Sequence, residues 1–510
     1  MSAEVNLSEM ERGREAYWLR YPRMAAHKLH WRALTVRHCF HVLPGESILE
    51  IGAGSGLWTE YLSRVLRHEN PITAAVFNAD FASHTRWRSI PQASPVLVQS
   101  LDQFPDASFD YVVGTAILCH NQYPQTLRSL FRVLKPGGQI LFFESNFWNP
   151  QVFVKSVFRW VGRISGHASC QVGLRRYRLM QWASGQGFSQ IEIVPYDIIH
   201  PLFPASLIDF AQKIAFLLEH MPLVKEFCGS LYIHARRPEH GRLPERRALL
   251  AEHEQFRSSV SFVVPCHNEE MNIEPLVDSL TSFYGPYIHE VILVNDNSRD
   301  RTREVAQSVA ERNPRVHLID RKPPNGVGRA LSDGYAAATG RYVFSMDADF
   351  VHLLPEFRDL FDALVRGADA AVGSRFTKES IMINYSFLKM LGNRCFHLLA
   401  NLMLPCRVHD ISNNLKLFRA EVLEAFQIEE PHFAANAEIG LKSVLAGFRI
   451  DEVPVSWINR TMSMGQSSFH ISKVAPDYAR ALWRVIRSGR RFTKSPNARR
   501  AFSAKVDRLD

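Results

Sequence analysis

Two long stretches of the sequence alternate apolar, strand-like runs with amphipathic, helix-like runs. A highly charged segment, residues 239–259, separates them and is the only convincing linker in the chain. Strand, turn and helix units repeated in this way are typical of parallel sheets covered by helices. The sequence therefore predicts an α/β protein with two tandem domains, residues 1–238 and 260–470, followed by a tail at residues 471–510.

The composition is that of a globular protein. Of the 510 residues, 46% are hydrophobic and 22% are charged, and no stretch approaches the roughly 18 consecutive apolar residues that span a bilayer. The N-terminus is polar and acidic, whereas a secretory signal begins with cationic and then apolar residues. Seven scattered cysteines without a CxxC pair indicate neither a disulfide framework nor a zinc finger. We therefore expect a cytoplasmic protein.

The positive charge is concentrated at the C-terminus. The formal net charge is +9, and the tail holds eleven Lys or Arg against three Asp. Such a tail suits contact with anionic lipid at the inner face of a membrane, and a solvated basic terminus is the equal alternative. No platform of aromatic and basic residues accompanies it, so no nucleic-acid partner is expected.

A glycine-rich turn marks the first half. SILEIGAGSGLWTEYLSRVL, residues 47–66, combines a strand, the turn and an amphipathic helix. Gly52, Gly54 and Gly56 let the backbone turn sharply and approach a ligand that any Cβ would obstruct. The spacing EIGAGSG differs from the dinucleotide pattern GxGxxG. A strand-like run at 108–118 follows, and residues 127–145 read as a helix, a tight Pro-Gly-Gly turn and a strand.

In this order, EIGAGSG, PDASFDYVV and LKPGG resemble the class I S-adenosylmethionine-dependent methyltransferases. GFSQIEIVPYD and GSLYIHARRP match the last two strands of that Rossmann-like fold, so the similarity covers most of residues 35–238. The resemblance implies a lid of aromatic residues before Ala33. It implies that the methionine and ribose parts of S-adenosylmethionine are surrounded by Glu50, Gly52, Gly54 and Gly56.

The ribose contact and the catalytic base are less well marked. The family's acidic residue at the end of the second strand has Asn78 or Asp80 as its counterpart, and Asp80 is our candidate for the cofactor-binding residue. His120 is a candidate base, with a structural or solvent-exposed histidine as the more frequent alternative. Methyl transfer from a sulfonium needs mainly alignment of the nucleophile, so the acceptor cannot be deduced from the cofactor motif.

Carboxylates follow the strand-like runs of the second half. Asp296 comes directly after EVILVN, and RYVFSMDADF ends in Asp347 and Asp349. Carboxylates two residues apart at a strand end can face one divalent cation when the chain turns there. A DxD pattern taken alone is common by chance.

Seven motifs of the second half occur in the order found in glycosyltransferase family 2, namely PCHNEE, VNDNSRDRT, NGVGRALSDGYAAATGRY, MDADF, VGSRF, GFRIDEVPVSW and GQSSF. Over residues 258–470 the chain resembles the dolichyl-phosphate-mannose-synthase-like branch. The resemblance implies a GT-A fold that transfers a sugar from a nucleotide sugar with inversion. The implied donor-binding residues are Pro265, Asn268, Glu269, Asp296, Gly326, Gly328 and Arg329.

The same resemblance implies roles around the donor diphosphate. Asp347 and Asp349 would hold Mg²⁺ or Mn²⁺, which offsets charge as the nucleoside diphosphate leaves and makes Asp349 part of catalysis. Arg375 and Arg460 are candidates for contacts to the diphosphate or to an acceptor phosphate, with ion pairs as the alternative. Glu438 is a candidate base for a hydroxyl acceptor, and a carboxylate stabilised by a helix dipole is the equal alternative.

The acceptor region departs from the family. Val351 stands where a metal-supporting Gln is usual, and HDISNNLKLF keeps Asp410 but changes residues 412–414. Residues 383–404 are apolar with Lys389 and Arg394 inserted. This pattern predicts an interfacial helix that admits a lipid tail beside a phosphate, and buried core packing is the equal alternative.

These observations predict a bifunctional transferase. One half would transfer a sugar to a lipid-phosphate or glycan acceptor, and the other would methylate a sugar, lipid or glycoside with S-adenosylmethionine. The alternative is a glycosyltransferase whose methyltransferase-like half is a non-catalytic binding module.

Overall fold

The computed structural model describes residues 7–118, 123–158, 173–200, 203–239, 248–458 and 471–492. Backbone contacts divide the chain into two compact units, unit 1 (Met1–Glu245) and unit 2 (Arg246–Asp510). The division falls inside the predicted linker, while the domain boundaries at residues 238, 260 and 470 stay a prediction. No helix in the described ranges is both long and apolar enough to cross a bilayer.

Unit 1 is built on one sheet of seven strands. They are β1 (Ile48–Ile51), β2 (Ile72–Val76), β3 (Ala93–Leu97), β4 (Phe109–Thr115), β5 (Leu134–Ser145), β6 (Ser189–Tyr196) and β7 (Ser230–Arg236). Their order is β3–β2–β1–β4–β5–β7–β6. The first five strands are parallel, and β7 is antiparallel to β5 and β6. The predicted Rossmann-like sheet is confirmed.

The helices of unit 1 cover apolar strands. They are α1 (Leu7–Arg20), α2 (Pro22–Phe40), α3 (Leu57–Val65), α4 (Ala79–Ala82), α5 (Tyr123–Val133), α6 (Pro150–Val157), α7 (Arg176–Gly185) and α8 (Ile208–Leu218). Every residue of β1 is buried. Leu49 and Val112 share a core cluster with Leu127 and Leu130 of α5, as expected for parallel strands enclosed by helices.

The LKPGG segment differs from the prediction. It forms the irregular start of β5 and not a separate tight turn, because α5 ends at Val133 and the strand begins at the next residue. The pairing with β4 shifts between Phe109 and Tyr111, which indicates a bulge. A Cβ at Gly138 would lie 2.8 Å from the carbonyl oxygen of Lys135, so the bulge requires a glycine there.

Unit 2 contains a second sheet of seven strands. They are β8 (Val260–Cys266), β9 (Ile288–Asn295), β10 (Val316–Asp320), β11 (Tyr342–Ser345), β12 (Ala370–Ser374), β14 (Lys416–Arg419) and β15 (Ile450–Pro454). The order is β10–β9–β8–β11–β14–β12–β15, with β14 antiparallel to both neighbours. A small parallel pair is formed by β13 (Met382–Ile383) and β16 (Trp457–Ile458).

Helices alternate with these strands along most of unit 2. They are α9 (Ile273–Tyr284), α10 (Thr302–Arg312), α11 (Val327–Ala337), α12 (Phe357–Val365), α13 (Phe387–Met403), α14 (Ala420–Glu424), α15 (Ala435–Leu445) and α16 (Ile471–Phe492). The backbone N–H of Thr302 donates to Asp300 Oδ1 over 3.0 Å. This contact gives the first backbone N–H of α10 an acceptor outside the helix.

Among the parallel strands of each sheet, the strand order reverses once. In unit 1 the reversal lies between β1 and β4, and in unit 2 it lies between β8 and β11. In open α/β sheets, ligands bind at the carboxyl ends of the strands beside such a reversal. The glycine turn after β1 and the aspartates after β11 both occupy this position.

Candidate functional sites

The loops after β8 and β9 form one hydrogen-bonded wall in unit 2. The Asn268 amide donates to Ser298 Oγ over 3.0 Å, and the Arg299 amide donates to Asn268 Oδ1 over 2.8 Å. The Glu269 amide donates to Thr302 Oγ1 over 2.8 Å. The structure therefore brings together Asn268 and Glu269, two of the predicted donor-binding residues, beside Pro265 at the end of β8.

Asp296 organises the loop that leads into α11. The buried carboxylate accepts the backbone N–H of Gly326 over 2.7 Å and forms an ion pair with Arg321. Its own carbonyl accepts the side-chain amide of Asn325 over 2.9 Å. Asp296 thus stands at the predicted donor site, and the structure shows it fixing the position of the protein backbone there.

Gly326 and Gly328 were predicted to approach the nucleotide, and in the structure both lie against the backbone of residues 430–431. A Cβ at Gly328 would overlap the carbonyl oxygen of Glu430, and one at Gly326 would overlap that of Pro431. The Gly328 amide donates to the Pro431 oxygen over 3.0 Å. Both glycines admit the protein backbone at the start of α11. Arg329 correspondingly donates to the Asn325 carbonyl over 2.7 Å, within its own turn.

Of the two aspartates after β11, Asp347 is held by a series of side-chain hydrogen bonds. Asn414 Nδ2 donates to Asp347 Oδ1 over 2.7 Å, and Ser345 Oγ donates to Asn414 Oδ1 over 2.7 Å. Asp349 is buried two residues further on. Sequence reasoning missed Asn414, although its place just before β14, which pairs with β11, was a usable signal.

Asp347 and Asp349 would supply a metal ion with carboxylate oxygens only. No cluster of three or more His, Cys, Asp or Glu suited to a metal occurs in the part of the chain that the structure describes. Mg²⁺ usually keeps several waters and binds through one or two carboxylates plus substrate phosphates. Asp347 and Asp349 fit a cation of that kind, whose remaining ligands come from a donor diphosphate and water.

Arg375 binds a carboxylate of its own chain. Its Nε donates to Asp410 Oδ2 over 2.6 Å and its Nη2 to Asp410 Oδ1 over 3.0 Å, and both side chains are largely buried. Burial would raise the pKa of Asp410, but the charge and hydrogen bonds of Arg375 hold it below the ordinary value. The ion-pair alternative is favoured for Arg375 over the predicted phosphate contact.

Glu438 is enclosed by protein groups. Its carboxylate accepts the backbone N–H groups of Glu430 over 2.8 Å and Glu429 over 3.1 Å, and it pairs with Lys442 at 2.6 Å. The side chain has no exposed surface. These contacts favour a structural carboxylate at the start of α15 over the predicted base, because its oxygens are directed at the loop of residues 429–430.

Helix α13 (Phe387–Met403) takes up most of the segment predicted as helical, residues 383–404, whose first residue lies in β13, and the helix has two faces. Met390, His397 and Ala400 are buried. The opposite side exposes six apolar residues, Leu388, Leu391, Leu398, Leu399, Leu402 and Met403. Lys389 is half-buried, and Arg394 donates to the His409 carbonyl over 2.8 Å. Core packing therefore accounts for one face only, and an interfacial role for the other face stays a prediction.

The glycine turn of unit 1 has the predicted backbone. Gly52, Gly54 and Gly56 have φ values of 67°, 60° and 85°, a region that residues with a Cβ rarely adopt. Glu50 is buried behind the turn, and burial raises its pKa to about 7. Its Oε2 has no hydrogen-bond partner among the described residues. A hydrogen-bond donor of a polar ligand would satisfy this buried oxygen.

The predicted ribose contact needs correction. Asp80 lies in α4 with an exposed side chain that pairs with Arg12 at 3.6 Å. The buried polar side chain at the end of β2 is Asn78, whose Oδ1 accepts the Asp80 amide and whose Nδ2 donates to Ser8 Oγ. His120 and Arg460, also singled out from the sequence, lie outside the described residues.

Charged residues of α1, which lies in the segment where the resemblance implied an aromatic lid, contact the glycine turn. Glu11 accepts the backbone N–H of Gly54 over 2.9 Å. Arg14 donates to the Gly52 carbonyl, and Glu15 accepts the hydroxyl of Ser55. Sequence reasoning missed these residues because Glu and Arg spaced three and four apart on a helix usually form a solvated face.

Two family models match the chain. Residues 49–142 match the methyltransferase domain, and residues 261–426 match glycosyl transferase family 2. Together with the two Rossmann-like sheets, these matches confirm both resemblances, that of unit 1 to the class I methyltransferases and that of unit 2 to glycosyltransferase family 2 with its GT-A fold.

The curated relatives of this chain include a mannosyltransferase and a monophosphomannose synthase. Dolichol-phosphate mannosyltransferase of Pyrococcus furiosus is 29% identical over 231 residues, which are 45% of this chain and 64% of that protein. Polyprenol monophosphomannose synthase of Mycolicibacterium smegmatis is 27% identical over 213 residues, 40% of this chain and 80% of that protein. The chain therefore spans less than two thirds of the first of these relatives.

Solved structures with similar folds include both transferase types. Glucosyl-3-phosphoglycerate synthase from Mycobacterium tuberculosis in complex with UDP is 19% identical, with a TM-score of 0.36 over 45% of this chain and 80% of that chain. Phosphoethanolamine N-methyltransferase 2 from Haemonchus contortus in complex with S-adenosyl-L-methionine is 16% identical, with a TM-score of 0.31 over 41% of this chain and 52% of that chain.

Proposed function

We propose that the protein is a bifunctional transferase that joins a sugar from a nucleotide sugar to a lipid phosphate and methylates a sugar, lipid or glycoside with S-adenosylmethionine. The main support for glycosyl transfer is a pair of hydrogen bonds that link Ser345, Asn414 and Asp347. They hold the Asp347 carboxylate beside the strand-order reversal of the domain that matches glycosyl transferase family 2. The sugar that the relatives' names suggest is mannose.

Asp347 and Asp349 are the residues that would hold Mg²⁺ or Mn²⁺. A divalent cation there supplies positive charge opposite the departing diphosphate. Asn414 holds Asp347 in one orientation, so the carboxylate is preorganised before the donor arrives. Asp296 and Asn268 form the adjoining wall, where hydrogen-bonded loops leave a fixed edge for the nucleoside.

The enclosure of Glu438 supports an anionic acceptor. A hydroxyl acceptor needs a base within hydrogen-bond reach, and the carboxylate of Glu438 is committed to backbone N–H groups and Lys442. A lipid phosphate is already ionised and needs no base. The apolar face of α13 offers a surface for the lipid tail and for peripheral contact with a membrane.

The backbone of the glycine turn and Glu50 are the groups that would hold S-adenosylmethionine, with Asn78 near the ribose. The cofactor supplies an activated methyl group on its sulfonium. The chain's own task is then to align an acceptor with that methyl group, which requires positioning more than acid–base chemistry. A non-catalytic binding module is the second candidate, favoured by the contact of α1 with the turn.

A transfer assay tests the glycosyl activity. The purified chain is incubated with labelled GDP- or UDP-sugars, a polyprenyl phosphate and Mn²⁺, and label in the lipid phase is counted. We expect transfer that is lost in Asp349→Asn and kept in Asp106→Asn, an exposed carboxylate of unit 1. Transfer that survives in Asp349→Asn, or no transfer from any sugar nucleotide, would contradict the proposal.

A further inference from the structure

Helix α1 meets the carboxyl ends of three strands at once. Glu11 receives the backbone N–H of Gly54 after β1 over 2.9 Å and that of Phe77 after β2 over 3.0 Å. Arg14 donates to the Gly52 carbonyl and, over 2.7 Å, to the Thr115 carbonyl at the end of β4. The helix therefore spans the strand-order reversal where a ligand of this fold binds.

The same side chains fill the space that the glycines leave open. A Cβ at Gly54 would lie 2.6 Å from Glu15 Oε2, and one at Gly52 would lie 3.2 Å from Arg14 Nη1. Glu11, Arg14 and Glu15 are all buried. No ligand atom can occupy the volume directly above the turn while these three side chains remain there.

The polar groups of α1 take the contacts that a cofactor would take. S-adenosylmethionine carries a carboxylate and hydroxyl oxygens that can accept backbone N–H groups, and an ammonium that can donate to a carbonyl. Glu11 accepts two such N–H groups, and Arg14 donates to two such carbonyls. The side chains of α1 and the cofactor therefore compete for the same partners.

Docking of α1 on the glycine turn costs desolvation free energy, which favours replacement of α1 by a ligand. Two carboxylates and a guanidinium lose water on burial, and such buried charges are offset only by well-made contacts. The desolvation of Glu11 raises the pKa of its carboxyl against the effect of Arg14. A ligand that satisfies the same backbone groups releases these charges into water, so the two arrangements can interconvert.

We propose that α1 is a displaceable plug of the methyl-donor site, so that docking of α1 on the glycine turn and binding of S-adenosylmethionine exclude each other. Unit 1 then binds its cofactor only in the fraction of molecules in which α1 has left the turn. The apparent affinity is reduced by that fraction. This inference rests on the proposed methyl-donor site.

Calorimetric titration with S-adenosylhomocysteine tests the plug in the full chain. Arg14→Ala removes the bridge between β1 and β4, and Glu15→Ala removes the contact with Ser55. We expect each variant to bind S-adenosylhomocysteine about tenfold more tightly than the wild type. The matched control is Arg20→Ala, because Arg20 lies on the same helix with an exposed side chain. Its affinity should equal that of the wild type.

Hydrogen exchange on the unaltered chain gives an independent readout that does not depend on a variant's folding. Addition of S-adenosylhomocysteine should speed amide exchange across residues 7–20 and slow it at residues 52–56. Slower exchange in α1 on addition of the ligand would overturn the proposal, since α1 would then close over the ligand as a lid.

The outcomes separate the plug from the site itself. Equal or weaker binding in Arg14→Ala and Glu15→Ala, with clear binding by the wild type, would overturn the plug and leave the methyl-donor site standing. No binding by the wild type or by either folded variant would overturn both.

Discussion

At the scale of single residues, burial and a neighbouring charge move the pKa of two carboxyl groups in opposite directions. Burial raises the pKa of Glu50 to about 7, whereas Arg375 holds the pKa of Asp410 below its ordinary value. Glu50 lies behind the glycine turn and Asp410 lies beside β12. The two groups therefore make opposite contributions to the pH dependence of stability.

Glu50→Gln should stabilise unit 1 at high pH. The folded state holds the Glu50 proton up to about pH 7, whereas the unfolded chain releases it near pH 4.5. The contribution of the Glu50 carboxyl to the free energy of unfolding is therefore fully present below pH 4.5, and it is lost as the pH rises to about 7 and the buried carboxyl ionises. We expect the variant to exceed the wild type by about 1–3 kcal/mol at pH 8 and to match it near pH 5.

Urea denaturation at both pH values checks this expectation, with the exposed Glu9→Gln as the control. A difference between Glu50→Gln and the wild type that stays constant from pH 5 to pH 8 would show that the charge of Glu50 is not the cause.

Asp410→Ala should destabilise unit 2 strongly. It would leave the Arg375 guanidinium buried without its carboxylate, and breaking a buried ion pair costs about 3–5 kcal/mol. Chemical denaturation measures the loss. The exposed pair of Arg257 and Glu254 provides the comparison, because removal of Arg257 should change stability little. A loss as small as that of the comparison would mean that solvent reaches the Arg375 site.

At the scale of elements, periodicity and turn residues predicted the strands next to both sites. β1, β4, β9 and β11 were each expected from an apolar run, with a glycine turn after β1 and carboxylates after β9 and β11. A glycine in the sequence indicates that some group approaches the backbone too closely for a Cβ, but it does not identify that group. The neighbour of Gly328 proved to be the backbone of residue 430, and that of Gly54 proved to be Glu15. Both contacts join segments distant in sequence, which no local pattern records.

The exposed face of α13 should bind lipid. Leu398 and Leu402 are 60% and 73% exposed, and burial of a leucine is worth about 1.5–3 kcal/mol. We expect Leu398→Gln with Leu402→Gln to lower flotation with anionic liposomes at least about tenfold at low salt. High salt should weaken the binding of the wild type to these liposomes, because it screens the positive charges of the basic tail.

The matched control for this flotation experiment is Leu249→Gln, a leucine of unit 2 outside the helix that is 65% exposed. Equal flotation of the double variant and the control would show that α13 does not touch the membrane.

At the scale of the whole molecule, two transferase domains on one chain suggest two reactions on one product. The proposed product of unit 2, a lipid-linked sugar, carries hydroxyl groups, which are nucleophiles suited to methylation. Each unit has its own sheet, its own strand-order reversal and its own candidate site. The two ligand sites should therefore respond to substitution independently, because each is built from residues of its own unit.

Thermal denaturation of the full chain with each ligand tests this central claim most directly. The wild type should be stabilised both by saturating S-adenosylhomocysteine and by a sugar nucleotide with Mn²⁺, since each binds the folded state. Gly54→Asp should lose only the first shift and Asp349→Asn only the second. A wild type that responds to the sugar nucleotide alone would contradict the bifunctional account.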